Sequence, residues 1–370
     1  MFSESVLRND EKAIYSLREL YKTYGYLQYK VNKFEEYDLY AHNKSFLVSD
    51  KVLTFTDTNG KLMALKPDVT LSIVKNIALE KDAVSKFYYN EHVYRPTTES
   101  NGFKEIMQTG LECIGNVTMY DECEVIMLAA HSLGTISEDY ILDLSHMGFV
   151  EGLFESAGLN ASLRKAIWKM MESKNVSGIE KLCAEANVDK ALADTICLLT
   201  RTYLPLDKAL AVVAPMVVGE QMQRVYDELS EISKVMAVYG VSEKLYLDFS
   251  VVNDQNYYDG IIFKGFLNGI PDSVLSGGRY DRLLAKMGKK ANAIGFAVYL
   301  DRLERFGAED RDYDIDVMLL YDEGAKQETI VSAVKTLTDG GNTVLAVREI
   351  DPSVRCRAIA KLENGEAKLL

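Results

Sequence analysis

Between residues 10 and 24 apolar side chains return every three or four positions, at Ile14, Leu17, Tyr21 and Tyr24, and the run stops at Gly25. That period places an apolar stripe along an α-helix, with Asn9 as the expected N-cap. From Tyr26 to Gly115 the period changes to short β-rich runs, LQYKV, VLTFTD, KLMALK, KFYYNEHVYR and KEIMQTGLECIG, punctuated by turns such as Thr58-Asn59-Gly60. Such a meander predicts a largely antiparallel sheet. Between about Phe149 and Val241 the text turns helical, with Met222, Val225, Tyr226, Leu229 and Ile232 marking one face of a helix. Strand signals return in KLYLDFSVV and YYDGIIFKGFL, followed by the turn Ser276-Gly277-Gly278 and a helix around Tyr280 to Met287. The expected fold class is α+β: an antiparallel sheet flanked by helices over 1–307, interrupted by a helical insertion over 149–241. From about Asp312 the order strand (DIDVMLLY), helix (AKQETIVSAVKTLTDGG), strand (TVLAVREI), helix and short end strand predicts a separate small α/β unit over 312–370.

Composition narrows the functional classes. At 370 residues and 48% hydrophobic, the chain has material for two or three folded units. Lys plus Arg number 42 against 55 Asp plus Glu, and the net charge of -13 repels a phosphate backbone, which disfavours general nucleic-acid binding. Cys113, Cys123, Cys183, Cys197 and Cys356 stand without CxxC spacing, so reduced thiols are expected in place of a disulfide framework or a zinc site. The opening MFSESVLRNDEK has no apolar signal-peptide core, and no apolar run approaches the roughly 20 residues that span a bilayer. A cytoplasmic protein without membrane contact is expected. Neither GxxxxGK[ST] nor GxGxxG occurs, and no cofactor or metal is expected. No metal-spaced partners surround His146, which reads as a hydrogen-bonded structural histidine.

Three groups of residues carry candidate chemistry. Leu65-Lys66-Pro67-Asp68-Val69-Thr70 reads by itself as an ordinary strand-ending turn, with Pro67 fixing φ and Asp68 bonding nearby amides. Gln108 and Glu112 are four residues apart on one strand and share a sheet face, which either a ligand or solvent can cover. Tyr257 and Tyr258 are adjacent, so on a strand one of them faces away from whatever the other meets.

Taken in order, these segments resemble the catalytic core of histidyl-tRNA synthetase, a class II aminoacyl-tRNA synthetase fold, over about residues 10–307. The resemblance implies that Asp68 and Thr70 receive an amino-acid ammonium, and that Arg95 is the motif 2 arginine, which holds the ATP α-phosphate and the substrate carboxylate. It implies further that Gln108 positions the polar end of the amino acid, that Glu112 accepts an imidazole N–H, and that Tyr258 bonds the imidazole with Tyr257 in support. Ser276-Gly277-Gly278-Arg279-Tyr280-Asp281 and the run Ala293 to Leu303 look like the GGRYD loop and motif 3, whose arginine, Arg302 here, stacks on adenine in an active enzyme.

The chain also departs from that family. Thr97 stands at a glutamate position, Gly102-Phe103-Lys104 lacks the loop arginine, Asp301 replaces the usual glutamate, and Lys33 stands where motif 1, the dimerisation segment, usually has a proline. Asn253 occupies the place of an arginine that stabilises the adenylation transition state. Losing one such preorganised donor costs roughly 2.7 to 4 kcal/mol. A second family shares the landmarks: the regulatory subunit of ATP phosphoribosyltransferase, a synthetase paralogue required by short-form catalytic subunits in the first step of histidine biosynthesis. Asp143-Leu144-Ser145-His146-Met147-Gly148 resembles its DLGHVG stretch, and Leu300-Asp301-Arg302-Leu303 its motif 3 ending. That resemblance implies a noncatalytic subunit that binds the short-form catalytic subunit, takes histidine as ligand and feedback signal, and forms a homodimeric core within a hetero-oligomer, commonly a hetero-octamer. A divergent histidyl-tRNA synthetase and an orphan amino-acid-binding module are the competing readings. The last unit resembles the start of an anticodon-binding domain but stops about a third short, and Arg355-Cys356-Arg357 adds little charge, so tRNA is not an expected partner.

Overall fold

The computed structural model describes residues 7–47, 49, 51–80, 82–97, 102–251, 257–303 and 313–370. The chain divides into two compact units, Met1–Phe306 and Gly307–Leu370.

Among the described residues of the first unit, nine strands form one sheet. Their order is Leu27–Gln28, Val84–Pro96, Phe103–Gly115, Asn292–Tyr299, Leu275–Arg279, Ile261–Leu267, Tyr140–His146, Leu245–Asp248 and Tyr203–Pro205. The first pair and the Tyr140–His146 pair with Leu245–Asp248 are parallel, and the other neighbours run antiparallel. Two 13-residue strands, Val84–Pro96 and Phe103–Gly115, make a long hairpin, second and third in that order. Strand alternation sends Leu111 and Cys113 of this hairpin into a core shared with helices Asn9–Thr23 and Met119–Ile136, and turns Gln108 and Glu112 to the opposite face. Met119–Ile136 is buried over most of its length, its acidic Asp121, Glu122 and Glu124 paired with Lys86 and Arg279, and Tyr21 of the first helix is bonded to its Ser132 at 3.0 Å.

Several local expectations are corrected. The first helix begins at Asn9 itself, and Arg8 is its N-cap because the Glu11 carboxylate accepts the Arg8 N–H at 2.9 Å. The meander does not stay in one sheet. Leu27–Gln28 joins the large sheet, but the Val31 N–H turns to the Glu91 side chain at 3.1 Å, and the strands Phe34–Glu36, Leu62–Leu65 and Thr54–Thr56 pair separately.

The insertion is not wholly helical. Helices Ala161–Glu172, Val176–Glu185 and Lys190–Arg201 precede, and Leu206–Val213 and Gly219–Val238 follow, the edge strand Tyr203–Pro205. Tyr203 stacks on Tyr246 of the neighbouring strand at 5.1 Å, and this cross-strand pair favours sheet over helix there. Polar contacts tie the insertion to the sheet: Lys174 to Asp248 at 2.7 Å, and His146 to Glu228 at 3.2 Å. His146 Nδ1 accepts the Gly148 N–H at 3.1 Å, so Nε2 carries the hydrogen that reaches Glu228.

In the second unit the strand order is Val344–Val347, Ile315–Leu320, Cys356–Glu363 and Glu366–Leu369. Helix Gln327–Asp339 lays Ile330 and Ala333 over Val317, Leu319, Ala360 and Leu362. The helix expected before the end strand does not form. Cys356–Glu363 is itself a strand, and Asn364 and Gly365, at φ of 52° and 92°, make the tight turn that returns the chain as a hairpin.

Within the first unit, Lys66 ties the segment at Val31 to the long hairpin beside the cavity described next. Its side chain is 0% exposed, with Nζ 2.5 Å from Glu91 and donating to the Val31 carbonyl at 3.3 Å, while its own carbonyl accepts the Tyr94 N–H at 2.9 Å. Breaking a buried ion pair from one side strands the other charge. Lys66→Met is therefore expected to lower the unfolding free energy by about 3 kcal/mol in urea denaturation, with part of the loss recovered in the Lys66→Met, Glu91→Gln double variant. A loss under about 1 kcal/mol would remove the pair as a structural joint.

Candidate functional site

A cavity of about 310 Å³ opens on the sheet face that carries Gln108 and Glu112. The long hairpin supplies Tyr89, Arg95, Gln108 and Glu112. The turn before helix Thr70–Asn76 supplies Asp68 and Thr70, and the turn before Ile261–Leu267 supplies Tyr257 and Tyr258. All seven residues singled out from the sequence, Asp68, Thr70, Arg95, Gln108, Glu112, Tyr257 and Tyr258, line this one cavity.

Glu112 is 2% exposed and accepts the Thr70 hydroxyl at 2.6 Å and the Tyr280 hydroxyl at 2.5 Å. Burial pushes its carboxyl up to about 8; the two hydroxyl bonds oppose the shift and nearby Asp68 adds to it. Burial thus favours the neutral form of the group, and a ligand N–H placed against it favours the carboxylate. Space for this side chain comes from Gly295, its cross-strand neighbour: a Cβ there would sit 2.0 Å from Glu112 Oε2.

Burial also raises the Asp68 carboxyl above its ordinary range, against the Leu71 N–H bonded to it at 2.8 Å and the charge of Arg95. Arg95 Nε is fixed on the Pro67 carbonyl at 3.1 Å. Gln108 is 2% exposed, and its Nε2 has no partner among the described residues. A buried amide donor without a partner on the wall of a cavity is placed to meet a ligand oxygen.

Both adjacent tyrosines face the cavity, since they sit in a turn and the strand alternation that would separate them does not apply. Their rings meet at 4.7 Å, and Tyr257 also packs against Tyr280 at 5.9 Å and Phe46 at 6.3 Å. Tyr257 shares a hydrogen bond with Thr70 and Tyr258 with Ser276. Burial lifts both phenols well above their usual range, so they act as neutral donors.

Sequence reasoning missed Tyr89, Lys264, Tyr280, Gly295 and Tyr299 as wall residues. Tyr280 and Gly295 stood in motifs quoted for their glycines and arginines, but only the register between Asn292–Tyr299 and Phe103–Gly115 shows which of them meets Glu112. The cationic side of the cavity is formed by Arg95, Lys264 and Arg302. Arg302 lies over the Tyr299 ring at 4.7 Å, and Lys104 pairs with Asp301 at 3.0 Å. At the hairpin end the Thr97 N–H donates to the Gly102 carbonyl at 3.0 Å, and Asn253 lies outside the described residues. Among the described residues no three His, Cys, Asp or Glu side chains are grouped to hold a metal ion, and no helix is long and apolar enough to cross a membrane.

The Glu112 shift fixes a sign for pH dependence. The unfolded carboxyl titrates near its ordinary 4.5 and the folded one near 8, so its stabilising contribution is complete below about 4.5 and is lost as pH rises through 8. Glu112→Gln keeps the shape without the titration. Thermal melts of the empty protein from pH 5 to 8 are expected to show the wild type losing stability relative to Glu112→Gln as pH rises; parallel curves would contradict the shift.

Comparison with known proteins places this geometry in a family. A family model described as histidyl-tRNA synthetase matches residues 3–303. A curated ATP phosphoribosyltransferase regulatory subunit of Oceanobacillus iheyensis is 25% identical over 375 residues, covering 100% of this chain and 92% of the relative. Among solved structures, an ATP phosphoribosyltransferase regulatory subunit/histidyl-tRNA synthetase from Bacillus halodurans superposes with a TM-score of 0.75 at 22% identity, covering 93% of this chain and 91% of that one. A chain of the ATP phosphoribosyl transferase (HisG:HisZ) complex from Thermotoga maritima superposes with a TM-score of 0.62 at 18% identity, covering 78% of this chain and 96% of that one. These structures carry the likeness of fold: a class II synthetase-like α+β sheet. With the match running from the first helix through the Glu112 cavity to the turn that holds Arg302, the chain belongs to the histidyl-tRNA synthetase family.

Proposed function

We propose that this chain is a noncatalytic regulatory subunit of ATP phosphoribosyltransferase that pairs with a short-form catalytic subunit in the first step of histidine biosynthesis. The names of its curated relative and of the Thermotoga maritima complex support the role, and the reading extends both to this chain. The observation that carries it is the asymmetry of the cavity. The cavity keeps a buried carboxylate, a hydroxyl and an unpartnered amide donor suited to an amino acid, while Arg302 on its wall is stacked on the protein's own Tyr299.

In this reading histidine is the ligand, with Asp68 and Thr70 at its ammonium, Gln108 and Arg95 at its carboxylate end, and Glu112 with the tyrosines at its imidazole. A site that hydrogen-bonds a substrate N–H rejects side chains lacking it, because the buried carboxylate would be left unpaired. Regulation requires histidine to bind two states of the assembly unequally, since equal affinity shifts nothing. Exposed Leu27, Phe34, Phe55 and Leu62, with the two phenylalanine rings 5.5 Å apart, support burial of this region in a homodimer within a hetero-octamer. The unit over 312–370 is read as a short form of the anticodon-binding fold without a tRNA role, and the protein as cytoplasmic.

The test is an activity assay of a short-form ATP phosphoribosyltransferase with and without the purified chain, alongside histidine-dependent ATP–pyrophosphate exchange by the chain alone. Stimulation of the transferase and no exchange are expected. Exchange above background would assign the chain to amino-acid activation instead, and failure to associate or stimulate would overturn the regulatory role.

A further inference from the structure

Two arginines on the cavity wall are covered by an aromatic ring of the protein itself. Tyr299, the last residue of strand Asn292–Tyr299, places its ring near two guanidinium groups, with Arg302 4.7 Å from the ring centre and Arg95 6.0 Å from it. Neither arginine is placed loosely. Arg95 Nε is held by the Pro67 carbonyl at 3.1 Å, and Arg302 reaches the Ser273 hydroxyl at 3.5 Å. Lys104, directly opposite Arg95 in the hairpin register, is paired with Asp301, the residue before Arg302, at 3.0 Å. The hairpin and the turn Leu300–Leu303 are thereby latched together beside Tyr299. Lys264 lines the same cavity and adds a third cation.

A planar cation is a stacking platform for an aromatic face, and Arg302 is covered by one that belongs to the chain. Without the phenol ring, this end of the cavity would be a slot for a flat ring, bounded by two guanidinium groups and with an ammonium nearby. Those features recognise an aromatic heterocycle bearing an anionic group, the chemistry of a nucleotide. Tyr299 offers its own ring to those guanidinium groups where a ligand's ring would stack, and Glu112 lines the same cavity.

We propose that Tyr299 is a specificity-determining residue, an internal plug that lets the cavity take an amino acid and keeps nucleotides out. The proposal rests on the amino-acid reading of the Glu112 site, and the experiment separates the two.

The experiment is calorimetric titration of the full chain with AMP, with ATP and, separately, with histidine, for wild type, Tyr299→Phe and Tyr299→Ala. The wild type and Tyr299→Phe are expected to show no saturable nucleotide binding, whereas Tyr299→Ala binds AMP at least about ten-fold more tightly and loses that gain when Arg302→Gln is added. Tyr299→Leu keeps apolar bulk without a flat ring, and replaces Tyr299→Ala if the smaller residue lowers the melting temperature below the titration range. Wild-type AMP binding as tight as that of the ring-less variant would overturn the plug. So would a folded ring-less variant that still binds histidine and gains no AMP affinity. Loss of histidine binding in every form, with the AMP gain present, would support the plug and contradict the amino-acid reading alone.

Discussion

The site depends on one constraint: a carboxylate buried in the middle of a sheet, above a glycine and between two hydroxyl donors. Glu112 can occupy that position only because its cross-strand neighbour is Gly295, and it stays satisfied only while Thr70 and Tyr280 both donate to it. The three elements that meet there are far apart in the chain, so the carboxylate binds the fold's topology to the cavity's chemistry. Burying an ionised group without a partner is costly, and the observed answer is to raise its pKa and share its oxygens with neutral donors. The same group is thereby left ready to respond to a ligand that brings an N–H.

The supporting architecture follows from alternation along the hairpin. On its second strand odd positions such as Leu111 and Cys113 build the helix-side core and even positions such as Gln108 and Glu112 the opposite wall, while on its first strand Tyr88 faces the core and Tyr89 and Arg95 the cavity. The Lys66–Glu91 pair holds the turn bearing Asp68 and Thr70 against that hairpin, and Arg95 reaches back to Pro67 in the same turn. On the cationic side the Lys104–Asp301 pair sets the distance between the hairpin and Arg302. The cavity carries both hydrogen-bonding groups and cations, with the Tyr299 ring covering the two arginines.

Much of this was legible before any coordinates. Spacing put Gln108 and Glu112 on one face, and the family resemblance nominated Asp68 and Thr70 for an ammonium; all seven nominated residues line one cavity. What remained hidden was non-local. No periodicity shows that Gly295 lies across from Glu112, that Tyr280 donates to it, or that Tyr299 sits by Arg302, because sheet register is fixed by pairings between distant strands. Local chemistry misled in smaller ways. Glu11 moved a helix cap to Arg8, the Tyr203–Tyr246 stack drew a strand out of helical text, and the Asn364-Gly365 turn replaced an expected helix with a hairpin. Adjacent Tyr257 and Tyr258 escaped the alternation rule because they stand outside a strand.

The central claim is that the Glu112 site is an amino-acid receptor preserved on a subunit that does not activate its ligand. Calorimetric titration of histidine, with alanine and glutamine as comparisons, into wild type and Glu112→Gln tests it most directly. Saturable binding of histidine alone, weakened about ten-fold or more by Glu112→Gln, is the result the account predicts. Absence of histidine binding, or equal affinity in the two proteins, would contradict it.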